Sequence, residues 1–79
     1  ISLPNCTKID NTAFDGCSNL KSVTLSTNLT EIGALAFANT KGLTINFTGT
    51  KAEWSAVGKN NMWNMGAANY TIVCSDGTV

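Results

Sequence analysis

The 79-residue chain is 43% hydrophobic, 13% charged and 8% aromatic, which suits one small domain. Five lysines balance five acidic residues, so the chain has no net charge with which to attract nucleic acid or an anionic membrane. Histidine and arginine are absent, which removes the commonest general acid and base, the usual metal ligand and the best phosphate-binding side chain. No apolar run is long enough for membrane insertion. We therefore expect no enzyme, no catalytic residues, no metal site and no cofactor.

The polarity of the chain comes from amides and hydroxyls, with 10 Asn, 6 Ser and 11 Thr. These side chains keep a chain soluble without charge, and they favour turns because they bond to nearby backbone. The sequence opens directly on the strand-like segment Ile1-Ser2-Leu3-Pro4, with no visible signal peptide. We expect an excised fragment rather than a native start.

The chain repeats itself at a nearly constant spacing. An Ala-Phe pair at 13–14 recurs at 36–37, and Ile45 and Phe47 begin a third copy. Other apolar residues recur in the same way: Ile1 and Leu3 with Val23 and Leu25, Cys6 with Leu29, Ile9 with Ile32, and Leu20 with Leu43. One copy cannot bury its apolar side alone, so we predict stacked copies that share a continuous core.

Each copy begins with two apolar residues around a polar one, the period of a half-buried strand. The Ala-Phe pair in each copy predicts a short helical or 3₁₀ turn. Stacking aligns the outward residues of successive strands on one face of the sheet. The sequence therefore predicts one candidate binding face, which we call the polar strand face: Ser2, Ser22, Thr24, Thr44 and Asn46.

The last third of the sequence differs from the repeats. Thr50-Lys-Ala-Glu53 has the pattern of a capping box, which predicts a helix with Trp54 and Val57 on one face and its end at Gly58. Another turn is predicted at 60–63 and a last strand at 70–74, with 75–77 turning the chain outward. An open repeat end exposes apolar side chains, so we interpret 48–79 as a C-terminal cap.

These repeats resemble the 23-residue BspA-type leucine-rich repeats. The resemblance rests on spaced residues that recur: Leu3-Pro4, Ala13-Phe14, Cys17, Leu20, Ile32-Gly33 and Ala36-Phe37. Thr40 replaces the family's Cys, and Ser26 replaces a frequent Pro. The resemblance implies an α/β leucine-rich-repeat solenoid fragment with short parallel strands, short helical turns and a C-terminal capping helix and strand. Residues 1–47 would hold two repeats plus the strand of a third, and 48–79 the cap.

The three cysteines leave two interpretations open. Cys6, Cys17 and Cys74 are odd in number and lack a C-x-x-C spacing, which disfavours a metal site. They are either small buried hydrophobic residues, or Cys6 and Cys17 form a disulfide.

The resemblance also implies a function, that of a non-enzymatic protein-interaction module. The chain would be the C-terminal part of a longer bacterial cell-surface or extracellular protein, used for adhesion to host extracellular matrix or another cell. One alternative is a glycan-contacting accessory domain that uses Trp54 and Trp63, and another is an architectural spacer. The strand at Ile1–Leu3 would leave an open edge in the isolated chain, so we expect that chain to be marginally stable or to self-associate through this edge.

Overall fold

The alternation of apolar and polar residues produces very short strands that recur once per repeat. The computed structural model describes all residues, 1–79. In chain order its elements are β1 (Ser2–Leu3), β2 (Lys8–Ile9), β3 (Ser22–Leu25), β4 (Glu31–Ile32), β5 (Thr44–Phe47), α1 (Lys51–Ala56), β6 (Gly58–Lys59), β7 (Thr71–Cys74) and β8 (Gly77–Thr78).

The strands form two sheets that lie along the same stack of coils. The first sheet has the order β1-β3-β5-β7-β8, and the second sheet has the order β2-β4-β6. All neighbouring pairs are parallel except β7 and β8, which are antiparallel. The chain is thus a small β-solenoid of about three turns with little helix, as the repeat pattern predicts.

The register of the strands follows the repeat spacing read from the sequence. Ser2 pairs with Thr24 and Thr24 with Asn46, which are the same pairs that the aligned copies predict. In the second sheet Ile9 pairs with Ile32, again as the aligned copies predict. Within β3 the side chains alternate between exposed or half-exposed and buried positions. The predicted half-buried strands are therefore confirmed.

A ladder of turns forms the third side of each coil, at 11–16, 34–39 and 61–66. The Ala-Phe segments thus form turns, where the sequence predicts helical or 3₁₀ turns. The hydrogen bonds from Ala13 N to Asp10 O and from Asp15 N to Thr12 O have 3₁₀ spacing. However, Thr12 and Gly16 have φ of +60° and +74°. Such left-handed residues interrupt any run of helical dihedrals.

Helix α1 begins at the capping box that the sequence predicts. The Thr50 hydroxyl accepts from the Glu53 N–H, and the Glu53 carboxylate accepts from the Thr50 N–H. The prediction that Gly58 ends the helix is wrong. The helix ends at Ala56 with Val57 as its C-cap, and Gly58 starts β6 instead. Gly58 has no positive φ and donates its N–H to Thr30 O, so it extends the second sheet.

The core lies between the two sheets and the ladder of turns. It contains 14 buried apolar residues, of which Val23, Leu25 and Ile32 are fully buried. Thr40, which stands where the first copy has Cys17, is also buried and donates its hydroxyl to Phe37 O at 2.9 Å. Because this hydroxyl is satisfied, the departure from the repeat pattern leaves the core intact.

All three cysteines are free thiols. Cys74 is buried, while Cys6 and Cys17 are half-buried. The alternative of a Cys6–Cys17 disulfide is therefore not realised in this structure. Cys6 packs against the core at the position that Leu29 occupies in the second coil, which agrees with its interpretation as a small apolar residue.

Candidate functional site

The five residues of the polar strand face come together on the outward side of the first sheet. Parallel pairing of β1, β3 and β5 places Ser2, Thr24 and Asn46 in one row across the sheet. The same pairing places Ser22 beside Thr44 in a second row. These positions are held by the apolar residues between them, since Val23 and Leu25 are fully buried on the opposite side of β3.

The polar strand face is accessible to solvent. Ser2 and Ser22 are exposed, and Thr24, Thr44 and Asn46 are half-exposed. Hydroxyls that donate within the chain lie elsewhere, for example on Ser26 and Thr30, which donate to Pro4 O and Thr7 O. The face thus offers uncharged donors and acceptors to a partner, at the regular spacing of the strands.

Two further residues extend the polar strand face, and the sequence analysis did not predict them. Thr71 pairs with Thr44 and Val73 with Asn46, so β7 continues both rows. The sequence identifies the strand at 70–74 but assigns it to the cap, which separates it from the repeats. The alternation of Thr71, Ile72 and Val73 was the available signal, because it matches that of β3 and β5.

The size of this face limits what it can bind. Four neighbouring strands span three inter-strand gaps, or roughly 14 Å, at the usual strand spacing. A stable protein interface usually covers about 800 Å² on each partner. The face carries no charged, aromatic or arginine anchor of the kind that dominates binding energy. It is therefore suited to a weak contact that further repeats would strengthen.

The two tryptophans belong to a chain of aromatic rings inside the C-terminal half. Trp54 is 4% exposed and has neighbouring ring centroids at 5.3 Å (Phe47) and 6.0 Å (Trp63). The Lys59 ammonium lies 4.6 Å from the centroid of Trp54. Trp63 is half-buried, and its ring centroid lies 6.1 Å from that of Tyr70. Trp54 thus has no face available for stacking on a sugar.

The second sheet carries a shallow polar depression over its outward residues. Lys8 and Glu31 form a salt bridge of 3.3 Å there, with both side chains more than half exposed. Such exposed pairs contribute little to stability. No three Cys, Asp or Glu side chains lie close enough to share a metal ion.

Burial changes the pKa values of two groups near the C-terminal end. Burial lowers the pKa of Lys59, whose ammonium donates to Trp54 O at 2.6 Å and to Val57 O at 3.0 Å. Burial also raises the pKa of the Cys74 thiol, the Asp76 carboxylate raises it further, and Lys51 opposes the rise. Cys74 is therefore a protonated, poorly nucleophilic thiol at neutral pH.

Comparison with known proteins identifies the family. Residues 1–61 match the family model described as BspA type leucine rich repeat region (6 copies). Because this match covers 61 of the 79 residues, the chain belongs to the BspA-type leucine-rich-repeat family. No curated protein and no solved structure gave a significant match.

Membership defines the class of protein in general terms. Leucine-rich repeats generally mediate protein–protein interaction and are typically non-enzymatic, and BspA-type repeats are typically surface-associated. The structure contains no helix with the length and apolar character needed to cross a bilayer.

Proposed function

We propose that this chain is a non-enzymatic protein-binding module within a longer bacterial cell-surface leucine-rich-repeat protein that serves adhesion. The ligand would be a host extracellular-matrix protein or a protein on another cell, bound at the polar strand face. The observation that carries the proposal is the alignment of Ser2, Thr24 and Asn46 across three parallel strands. Their side chains are accessible, uncharged and evenly spaced, which suits contact with an extended polypeptide.

The proposal includes a division of labour along the chain. Residues 1–47 would supply the binding repeats, and 48–79 would seal their C-terminal end. Two contacts support the sealing role: Trp54 on α1 packs against Phe47, and β8 pairs with the outer edge of β7. Pairing with β8 leaves a two-residue strand at the edge of the first sheet in place of the four-residue β7, and short edge strands limit pairing with other chains. We also propose that the isolated chain self-associates through the N-terminal edge at β1.

A binding experiment tests the proposed face. The chain is titrated over a panel of immobilised extracellular-matrix proteins by surface plasmon resonance, beside Thr24→Glu and Asn46→Glu. A buried unpaired carboxylate at the contact is expected to weaken binding about tenfold or more. Ser55→Glu is the matched control, because Ser55 is exposed on α1 and the charge change is identical. Equal binding by all four proteins would contradict the assignment of the face.

Localisation requires a separate measurement. Intact source cells are treated with protease, and the released peptides are identified by mass spectrometry. Peptides from 23–41 released before lysis would support surface exposure of the repeats. Their appearance only after lysis would refute the adhesion role and favour an intracellular scaffold.

The two alternatives predict different results in the same assays. A glycan-contacting domain would have to use Trp63, since Trp54 is enclosed, and glycans would then shift the tryptophan fluorescence of the chain but not of Trp63→Phe. An architectural spacer would bind neither matrix proteins nor glycans, although surface proteolysis would still release it. No contact in the structure favours either alternative over protein binding.

A further inference from the structure

A cleft of about 250 Å³ opens on the flank of the stack, between the turn at 26–30 of the second coil and helix α1 of the third coil. We call it the flank cleft and define it by six of its lining residues: Thr27, Leu29, Phe47, Glu53, Ala56 and Val57. Because its walls belong to two successive coils inside the stack, the cleft does not depend on the ends of the chain.

The flank cleft exists because a helix replaces a turn at this corner of the third coil. Between the first and second coils the same corner is closed by side-chain hydrogen bonds, since the Ser26 hydroxyl and the Asn28 amide donate to Pro4 O at 2.6 and 3.1 Å. No backbone hydrogen bond joins 26–29 to 49–57. The second coil and α1 therefore remain apart along this stretch.

The floor of the flank cleft is apolar, and a carboxylate lies beside it. The floor consists of three buried side chains: Leu29, Phe47 and Val57. A Cβ on Gly49 would lie 2.6 Å from Phe47 Cε2, 2.7 Å from Thr27 Cγ2 and 3.0 Å from Glu53 Oε1. These three groups thus converge on one point, which places the negative charge of Glu53 at the edge of the apolar floor.

The free polar groups of the flank cleft are acceptors. Thr50 N donates to Glu53 Oε1 at 2.9 Å, and Glu53 Oε2 has no partner within the chain. The carbonyl of Thr27 also accepts no hydrogen bond within the chain. No lysine lines the cleft, so Glu53 supplies its only charge. The cleft therefore suits a group with an apolar body and a positively charged donor at its end.

We propose that the flank cleft receives a lysine side chain of a polypeptide partner. The aliphatic stem would cover the apolar floor, and the ammonium would donate to Glu53 Oε2 and Thr27 O. Lysine often buries its stem along an apolar surface while its ammonium stays at the rim. Arginine fits less well, because bidentate pairing needs both carboxylate oxygens and Thr50 N already occupies Oε1. The site is separate from the polar strand face and does not rest on the function proposed for that face.

Titration of the full chain with short peptides, followed by two-dimensional NMR of its amide groups, tests the proposal. The probe is a capped Gly-Lys-Gly peptide whose only charge is on the lysine side chain, and matched peptides carry norleucine or arginine instead. The lysine peptide should shift the amide signals of Leu29 and Val57. The norleucine peptide, which keeps the stem but lacks the charge, should bind at least about threefold more weakly. The arginine peptide should also bind more weakly than the lysine peptide.

The charge of the cleft is tested with Glu53→Gln. Glutamine at this helix position preserves the capping box, so the variant removes the charge and keeps the helix. It should bind the lysine peptide at least about threefold more weakly than the parent chain, and no better than the norleucine peptide. Glu31→Gln is the matched control, because Glu31 is exposed on the second sheet and outside the cleft. This control should prefer lysine as the parent chain does.

The shape of the cleft is tested with Ala56→Leu, which places a larger side chain at its rim. This variant should bind neither peptide, whereas Ala52→Leu, at an exposed position of α1 outside the cleft, should bind both as the parent chain does. Leu29 and Val57 signals that do not move up to the solubility limit of the lysine peptide would overturn the site. Equal binding of lysine and norleucine by the parent chain would overturn the lysine assignment, as would tighter binding of arginine.

Discussion

The two ends of the solenoid place equivalent residues in different environments. Phe14 in the first coil is half-buried, whereas its counterpart Phe37 in the second coil is 1% exposed. The Phe37 ring stacks on that of Phe14, with centroids 5.1 Å apart, and packs edge-to-face with Trp63, with centroids 6.2 Å apart. Cys17 in the first coil is likewise half-buried, whereas its counterpart Thr40 in the second coil is 1% exposed. Burial therefore depends on having a neighbour on both sides rather than on the residue alone.

The C-terminal end obtains its second neighbour by a different means. Instead of another plain coil, α1 brings Trp54 over Phe47, and Lys59 closes over the ring of Trp54. These elements bury the end of the core on the side of the sheets. The comparison shows that the repeats bury their core only where a neighbour covers it, and that α1 and the Lys59 side chain supply that neighbour at one end.

The largest expected effect comes from truncating the same aromatic residue in the two coils. Phe37→Ala should lower the free energy of unfolding by about 3–5 kcal/mol, because it removes a fully buried ring and leaves a cavity. Phe14→Ala should cost only about 1–2 kcal/mol, since less of its surface is buried. Urea denaturation followed by circular dichroism measures both values. Because Phe37→Ala alone can unfold so small a domain, the milder pair Phe37→Leu and Phe14→Leu serves as a second comparison. Equal losses in the two coils would contradict the dependence on neighbours.

A second prediction concerns the contact that joins the first coil to the second. A Cβ at Gly33 would lie 2.7 Å from Asn11 N, a backbone atom that cannot move aside easily. Gly33→Ala should therefore cost about 1–3 kcal/mol by separating the coils. Gly42→Ala is unsuitable as a control because Gly42 has a φ of +67°. Ala34→Ser, a small change at the residue that follows Gly33, is the control instead. Gly33→Ala that is as stable as the parent chain would show that the coils tolerate a wider separation.

The sequence indicates the repeated strands because their alternation and spacing are local signals. It also indicates the capping box, since Thr50 and Glu53 satisfy each other within one turn. The second sheet was less accessible, because two-residue strands such as β6 have no periodicity of their own. Their pairing depends on where the neighbouring coil lies. Strand β8 was not predicted for the same reason, because it pairs with β7 only where the chain reverses at 75–76.

The residues of the candidate site could likewise be predicted only in part from the sequence. Ser2, Thr24 and Asn46 could be placed in one row from the constant spacing of the repeats alone. Val73 could not, because the inserted helix α1 makes the separation between Asn46 and Val73 longer than one repeat.

A third, smaller effect is expected at the start of α1, the element that packs Trp54 against Phe47. Thr50→Ala removes the hydroxyl that accepts from Glu53 N at 3.2 Å. The expected loss in the free energy of unfolding is about 1 kcal/mol, the usual contribution of an N-cap. Thr48→Ala provides the matched control, because Thr48 is exposed just outside the helix. Losses of equal size in both variants would mean that the Thr50 N-cap does not stabilise the helix.

The smallest effect is a pH dependence at the last parallel strand. Burial raises the pKa of the Cys74 thiol above its ordinary value of 9.0, so the folded chain keeps this proton when the unfolded chain has lost it. The folded state then binds more protons, and the free energy of unfolding falls as the pH rises above 9. Below that pH both states are protonated, and the contribution of the thiol is fully present. The lowered pKa of Lys59 has the opposite sign, because there the unfolded state binds more protons at alkaline pH.

Comparison with Cys74→Ala isolates the thiol, since both proteins keep Lys59 and its contribution cancels in the difference. Urea denaturation under reducing conditions, from neutral to alkaline pH, should show the stability advantage of the parent chain shrinking above pH 9. A difference that stays constant with pH would mean that the thiol ionises equally well in both states, and so that the end of the first sheet is open to water. A shrinking difference instead indicates that β7 and β8 keep water from Cys74, in contrast to the half-buried thiols of the first coil.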